Sequence, residues 1–280
     1  MRIGLRPAML AAGMVILSLA GMGGQAAQKG EKLKPGEVVA RHVASLRQPG
    51  STAATTSRKL QGAAEFRILM GGAGNLIGKA SFVSGGRQFE FRVDFEDPAY
   101  HGERVSFDGE KVEVGTLRPG ARTPVGDFLF SNNEIVKEGL FGGALSTAWP
   151  LADLASRQAK LKYEGIKSVG GRKVHVLKYQ PKKSGDISIT LYFEVETFRH
   201  VGSVYRMSYG VPIAATPAQA VKQESSEYAL EESFGEFEAI AGWTLPTRWK
   251  IVYSRQTASR GNSIWQWEIQ FDKSSDPGDK

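Results

Sequence analysis

"DISITLYFEVE", residues Asp186–Glu196, places Ile187, Ile189, Leu191, Phe193 and Val195 on every second position, with Ser188, Thr190, Tyr192 and Glu194 between them. Alternation this regular marks a strand with one apolar and one polar face. The same period recurs on both sides of it. Lys160–Ser168 and Lys173–Tyr179 precede it, separated by Gly170-Gly171. His200–Tyr209, Glu227–Phe237, Leu245–Ser254 and Ser263–Asp272 follow, the last with Trp265, Trp267, Ile269 and Phe271 on one face. In the first half, Phe66, Ile68 and Met70 lead through a glycine-rich turn to Ala80 and Phe82, and "RQFEFRVDF" aligns Phe89, Phe91, Val93 and Phe95. "ERVSFDGEKVEVG" is two short strands joined at Asp108-Gly109, a strong hairpin signal. A meander of about eleven or twelve antiparallel strands closes into a barrel or curls strongly.

Three segments break the period. Gly36–Arg47 carries Val39, Val43 and Leu46 at helical spacing and stops at Pro49-Gly50, followed by a small polar linker at Ser51–Ser57. Thr123–Leu151 reads as short helices interrupted by Gly139 and Gly142-Gly143. Val211–Gln223, with Pro212 and Pro217, reads as a loop. No fixed repeat and no domain linker is present, so residues 27–280 read as one domain.

The first 26 residues read as a secretory signal peptide: Arg2 and Arg6, the apolar run Ala8–Ala20, then small residues that place cleavage after Ala26 or Ala27. Export to the periplasm is the expectation. Removing the two arginines takes the formal charge from +7 to +5. The remaining basic residues form pairs such as Lys182-Lys183 and Arg58-Lys59, without the clustered, aromatic-interleaved pattern of a nucleic-acid footprint. A mild attraction to anionic headgroups is compatible with that excess. The chain has no cysteine, so neither disulfides nor an acyl-cysteine anchor enter, and no second apolar run approaches the roughly 20 residues of a spanning helix.

Signatures of catalysis are missing. His42, His101, His175 and His200 are scattered without metal-ligand spacing, and no G-x-S-x-G elbow occurs. "GGAGNLIG" runs into a strand and reads as a hairpin turn, not a phosphate loop. Glu194 and Glu196 lie on a polar strand face and read as solvated. No catalytic residue, metal or cofactor is expected.

The apolar faces must therefore be covered, since each exposed large side chain forfeits roughly 1.5–3 kcal/mol. The helical pieces look too short to fill the interior of so large a sheet, which leaves a hydrophobic cavity of a kind that holds acyl chains. Three stretches carry a family resemblance. "ERVSFDGEKVEV" (Glu103–Val114), "ITLYFEVETFRHVGSVYR" (Ile189–Arg206) and "FGEFEAIAGWTLPTRWKI" (Phe234–Ile251) resemble elements of the LolA/LolB superfamily of periplasmic lipoprotein-sorting and lipid-carrier proteins. The resemblance spans Gly36–Asp272. It implies a mainly β fold with short helices: a curved antiparallel sheet forming an incomplete half-barrel, its concave face covered by helices. In the LolA type, an arginine after the second strand latches the cover; here "FVSGGRQF" has Gly85-Gly86 at that place and Arg87 just behind.

Combining periodicity and resemblance, the expected cavity wall is Phe89, Phe91, Val93, Ile189, Leu191, Phe193, Tyr205, Met207, Trp249, Ile251 and Trp267. The expected lid is Phe128, Phe130, Leu140, Phe141, Leu145 and Trp149. The functional expectation is a monomeric periplasmic carrier of acylated lipoprotein or lipid, working between an inner-membrane donor complex and an outer-membrane acceptor. The alternatives are an envelope sensor of lipid or lipoprotein that regulates a partner protein, and an exported hydrolase.

Overall fold

The computed structural model describes residues 33–51, 57–183, 185–209, 226–257 and 261–272. The expected signal peptide, most of the Ser51–Ser57 linker and the Val211–Gln223 loop lie outside the described residues.

Helix α1 (Pro35–Ser45) opens the described chain, with Pro35 in its first turn and Glu37 accepting from the Lys34 backbone N–H at 2.6 Å. Five strands follow as a meander: β1 (Ser57–Met70), β2 (Asn75–Gly85), β3 (Gln88–Phe95), β4 (Gly102–Phe107) and β5 (Val112–Val114). A small separate hairpin, β6 (Thr116–Arg118) and β7 (Ala121–Arg122), leads into α2 (Pro124–Ser131) and α3 (Glu134–Lys137). Single 3-10 turns at Gly143–Leu145 and Pro150–Asp153 precede α4 (Leu154–Arg157). The second meander is β8 (Lys160–Val169), β9 (Arg172–Gln180), β10 (Ser188–Glu194), β11 (His200–Tyr209), β12 (Ser226–Ile240), β13 (Trp243–Thr257) and β14 (Gly261–Phe271). The non-strand segment thus runs to Arg157, six residues past the expected boundary, and the β6–β7 hairpin was not legible in the periodicity.

Twelve strands form one antiparallel sheet in the order β5-β4-β3-β2-β1-β14-β13-β12-β11-β10-β9-β8. The edges β5 and β8 do not pair with each other, so the sheet is an open, curved half-barrel. Two features of this order matter. First, β1 pairs with β14, from Gly62↔Phe271 to Met70↔Ile264, so the two meanders meet at a seam in mid-sheet. Second, the chain leaves the first meander at one edge and enters the second at the other. Eleven inter-strand steps of about 4.8 Å separate those edges, roughly 50 Å around the curve. Residues 115–159 make that crossing, and they make it over the concave face. Coverage of the sheet is a consequence of its topology.

Candidate functional site

Strand register brings the predicted wall together. One row across the sheet runs Leu177, Leu191, Ser203, Glu232, Ile251, Trp267, Phe66 and Leu76. A neighbouring row holds Ile189, Tyr205, Leu230 and Tyr253. Phe89, Phe91, Val93, Phe193, Met207, Trp249, Ile251 and Trp267 are all buried, as the alternation requires. Of the expected lid residues, Phe128, Leu140, Phe141, Leu145 and Trp149 are buried against this wall. Phe141 illustrates the fit, with ring centroids 5.1 Å from Trp249, 5.5 Å from Phe91 and 6.3 Å from Phe89. The crossing segment therefore packs onto the concave face in this conformation. Loops and 3-10 turns, which carry Leu140, Phe141 and Leu145, pack against the wall alongside the helices. A groove of about 620 Å³ lies on the opposite, outer face, lined by Arg172, Tyr192, Arg206 and Arg248.

Phe130 corrects the expected lid. It is 42 % exposed, on the outer side of α2, with the Arg122 guanidinium 3.6 Å from its ring centroid. On a helix, Phe128 and Phe130 are 200° apart, so burying the first turns the second to solvent.

The contacts that hold the segment down are mostly polar, and sequence reasoning missed them. Arg58, buried at the start of β1, donates from Nη1 to the carbonyls of Ala144, Leu145 and Ser146 at 2.6, 3.3 and 3.4 Å. Its guanidinium lies 4.7 Å from the Trp243 ring centroid. Burial lowers its pKa to about 10, which leaves it charged at neutral pH. Arg87, just behind the Gly85-Gly86 pair that stands at the place the resemblance marks, makes an exposed bond to the Lys137 carbonyl at 3.1 Å. The buried arginine bonded to this segment, Arg58, is on the first strand. Beside it, the Ser84 and Thr147 hydroxyls meet at 2.7 Å, and the Thr147 N–H donates to Ser84 Oγ at 2.9 Å.

On β12, Glu232 is buried in the middle of the apolar row. It accepts the Gly142 N–H at 2.8 Å, and its other oxygen lies 2.8 Å from the Tyr205 hydroxyl, which is also 3.0 Å from the Leu140 carbonyl. A phenol has one hydrogen to share between those two acceptors. Protonated Glu232 resolves the conflict: it donates to the Tyr205 oxygen, and Tyr205 donates to Leu140. Burial raises the pKa of Glu232 to about 7, in the sense this inventory requires. Glu103 on β4 is similarly buried and raised by burial to about 7. It accepts from the hydroxyls of Tyr100 (2.8 Å) and Thr123, the residue that caps α2. At the far side, Tyr179 on β9 donates to Glu138 at 2.9 Å.

The histidines scattered in sequence converge in part. The His42 and His200 rings are 6.2 Å apart, both buried, and Trp149 stacks on His200 at 4.6 Å. His42 Nδ1–H donates to the Phe198 carbonyl and its Nε2 accepts from Trp149 Nε1–H, each at 2.9 Å. That arrangement suits only the neutral ring, and burial lowers its pKa to about 4. His200 is likewise held neutral by burial. His175 is buried on β9, while His101 is exposed. Glu194 accepts from the Thr197 hydroxyl at 2.6 Å beside a turn, and Glu196 is exposed. No group of three metal-ligating side chains occurs among the described residues.

No family model matches the sequence, and no curated protein matches it. Solved structures do. A LolA superfamily protein from Nitrosomonas europaea is 13 % identical, with a TM-score of 0.40 over 84 % of this chain and 93 % of its own. A DUF1329 family protein from Desulfovibrio piger is 12 % identical, with a TM-score of 0.41 over 84 % and 91 %. A domain described as an outer membrane lipoprotein-sorting protein, from Vibrio parahaemolyticus, is 7 % identical, with a TM-score of 0.41 over 85 % and 91 %. At this distance no residue role passes from them to this chain.

Proposed function

We propose that this chain is a periplasmic carrier that holds the acyl chains of a lipid or lipoprotein between the concave wall and the segment 123–157. The reading rests on how that segment is attached. It touches the wall through side-chain packing and side-chain bonds to Arg58, Ser84, Glu103, Tyr179, Tyr205 and Glu232, with no strand ladder to the sheet. It can lift without unzipping a single strand pair. The wall it uncovers is mainly apolar, interrupted at Ser203 and Glu232, and each buried methylene of an acyl chain on its apolar part contributes about 0.8 kcal/mol. Cargo held this way passes from an inner-membrane donor to an outer-membrane acceptor by relative affinity, without covalent change.

A crosslink tests this. The chain has no cysteine, and the Ser84 and Thr147 oxygens are 2.7 Å apart, close to disulfide reach. In the Ser84→Cys/Thr147→Cys protein, oxidation should abolish uptake of a fluorescent fatty acid and reduction should restore it. Undiminished uptake by the oxidised protein would make the segment a fixed plug and remove the basis for the reading.

A further inference from the structure

The polar groups of the concave wall lie together. Ser203 and Glu232 are direct partners across the β11–β12 pair, and Tyr205 follows Ser203 on the same face of β11. The His200 ring joins them, its Nε2 3.1 Å from Ser203 Oγ. All four side chains are buried, set among Leu191, Leu230 and Phe234. An alkyl chain laid over this patch gives it no hydrogen-bond partner, and a buried polar group without one opposes binding. Holding acyl chains does not account for the patch.

The crossing segment shows what the patch takes. The carbonyl before Phe141, that of Leu140, lies 3.0 Å from the Tyr205 hydroxyl, and the N–H after it, that of Gly142, donates to Glu232 Oε1 at 2.8 Å. The Tyr205 hydroxyl and Glu232 Oε2 are themselves 2.8 Å apart, so the two contacts form one unit. Between them the Phe141 side chain turns into the wall, its ring centroid 5.1 Å from that of Trp249 and 5.5 Å from that of Phe91. At Gly142 a Cβ would lie 2.9 Å from Phe82 Cε2, so only backbone fits at that point. The wall thus holds a carbonyl, a large apolar side chain and an N–H in succession. That is the outline of an acylated amino-acid amide, R–CO–NH–CHR′–CO–NH. An ester-linked lipid offers the carbonyl without the N–H.

We infer that Tyr205 and Glu232 select cargo whose acyl chain is amide-linked to an amino acid. Tyr205 donates to the acyl carbonyl, Glu232 accepts the N–H that follows the amino acid, and the amino acid's side chain takes the place of Phe141. The inference rests on the carrier reading proposed above. Residues 140–142 are then an internal stand-in for the cargo and leave as it arrives.

N-decanoyl-phenylalanine methylamide and N-decanoyl-phenylalanine methyl ester test this, since they differ only in the N–H that faces Glu232. On the parent protein the methylamide should bind at least about tenfold more tightly, because the ester sets an oxygen lone pair against Glu232 where the amide sets a hydrogen. Comparing two ligands on one protein cancels the cost of lifting the segment. In Glu232→Leu, with its fold checked by thermal melt, the ratio should fall to about one or below. A ratio near one on the parent protein overturns the inference whether or not the variant folds, and an unchanged ratio in the folded variant overturns it too. Uptake of a fluorescent fatty acid by the parent reports the concave face separately. Uptake with a ratio near one removes this inference and leaves the carrier reading, and no binding of any of the three probes removes both.

Discussion

Glu232 is a carboxyl group whose ionisation is opposed by burial. Its pKa is raised by burial from 4.5 to about 7, so the native state holds a proton that the unfolded chain releases between those values. The sign follows: the contribution is complete below about pH 4.5 and is lost as pH rises through about 7. The loss is on the order of 3 kcal/mol. His42, lowered to about 4, works in the opposite sense, being charged in the unfolded chain but not the native one below pH 6.5. The two slopes overlap, so the parent protein alone is a poor reporter. Glu232→Gln supplies the protonated form's hydrogen bonds permanently. Its stability relative to the parent, from urea melts at pH 5 and pH 8, is expected to rise with pH by on the order of 3 kcal/mol. A constant difference would mean that Glu232 is ionised in the native state. Glu232 was visible in the sequence, on the inward parity of Tyr228, Leu230 and Phe234, and so were Arg58 beside Leu60 and Glu103 beside Val105. Periodicity marks a face but not what an exceptional polar residue on it bonds to, because its partners come from a segment with no period.

At the scale of elements, the strands of the second meander were read to within about three residues at each end: His200–Tyr209 is β11 without change, Asp186–Glu196 loses two residues at each end, and Leu245–Ser254 extends to Trp243–Thr257. Backbone alternation and packing agree there, so neither overrides the other. The crossing segment was legible only as a sum of apolar residues. Its turns depend on backbone that composition does not reveal, such as Gly142 at φ 79° and Gly143 at φ 53°, where an added Cβ would lie 2.6 Å from His200 Nδ1. The hold of Arg58 on this segment was missed because it binds carbonyl oxygens, which every residue has. Arg58→Met keeps the stem and removes the donors, leaving the Ala144 carbonyl without that bond inside the protein. A global cost on the order of 2 kcal/mol is expected. Hydrogen exchange should quicken at residues 140–149 well before it does on β12–β14, and fatty-acid uptake should accelerate. Equal protection loss everywhere would make Arg58 a core residue without a local hold on the segment.

For the whole molecule, the sheet order makes β14 the joint between two meanders: it pairs with β1 on one side and with β13 on the other, from Arg248↔Gln270 to Thr257↔Gly261. Trp267, Ile269 and Phe271 then sit mid-wall, buried. Ending the chain before Gly261 should leave both meanders with apolar faces and no common core. Such a protein is expected to lose its cooperative thermal transition and to bind a hydrophobic dye strongly. Persistence of one sharp transition would show that the meanders associate without the joint.

Pairing the first strand with the last also sets a clock. A chain that emerges amino-terminus first, from a ribosome or a translocation channel, can zip β2 to β5 and later β8 to β13 as they arrive, since each pairs with its predecessor. Neither run can finish the wall. Strand β1 must wait, one side unsatisfied, for a partner about two hundred residues away in sequence, a contact of the kind that slows folding most. Meanwhile the crossing segment has nothing whole to close over. Closure by β14 is expected to act as a completeness check, so a chain cut short before it should be cleaved faster in limited proteolysis than the whole protein.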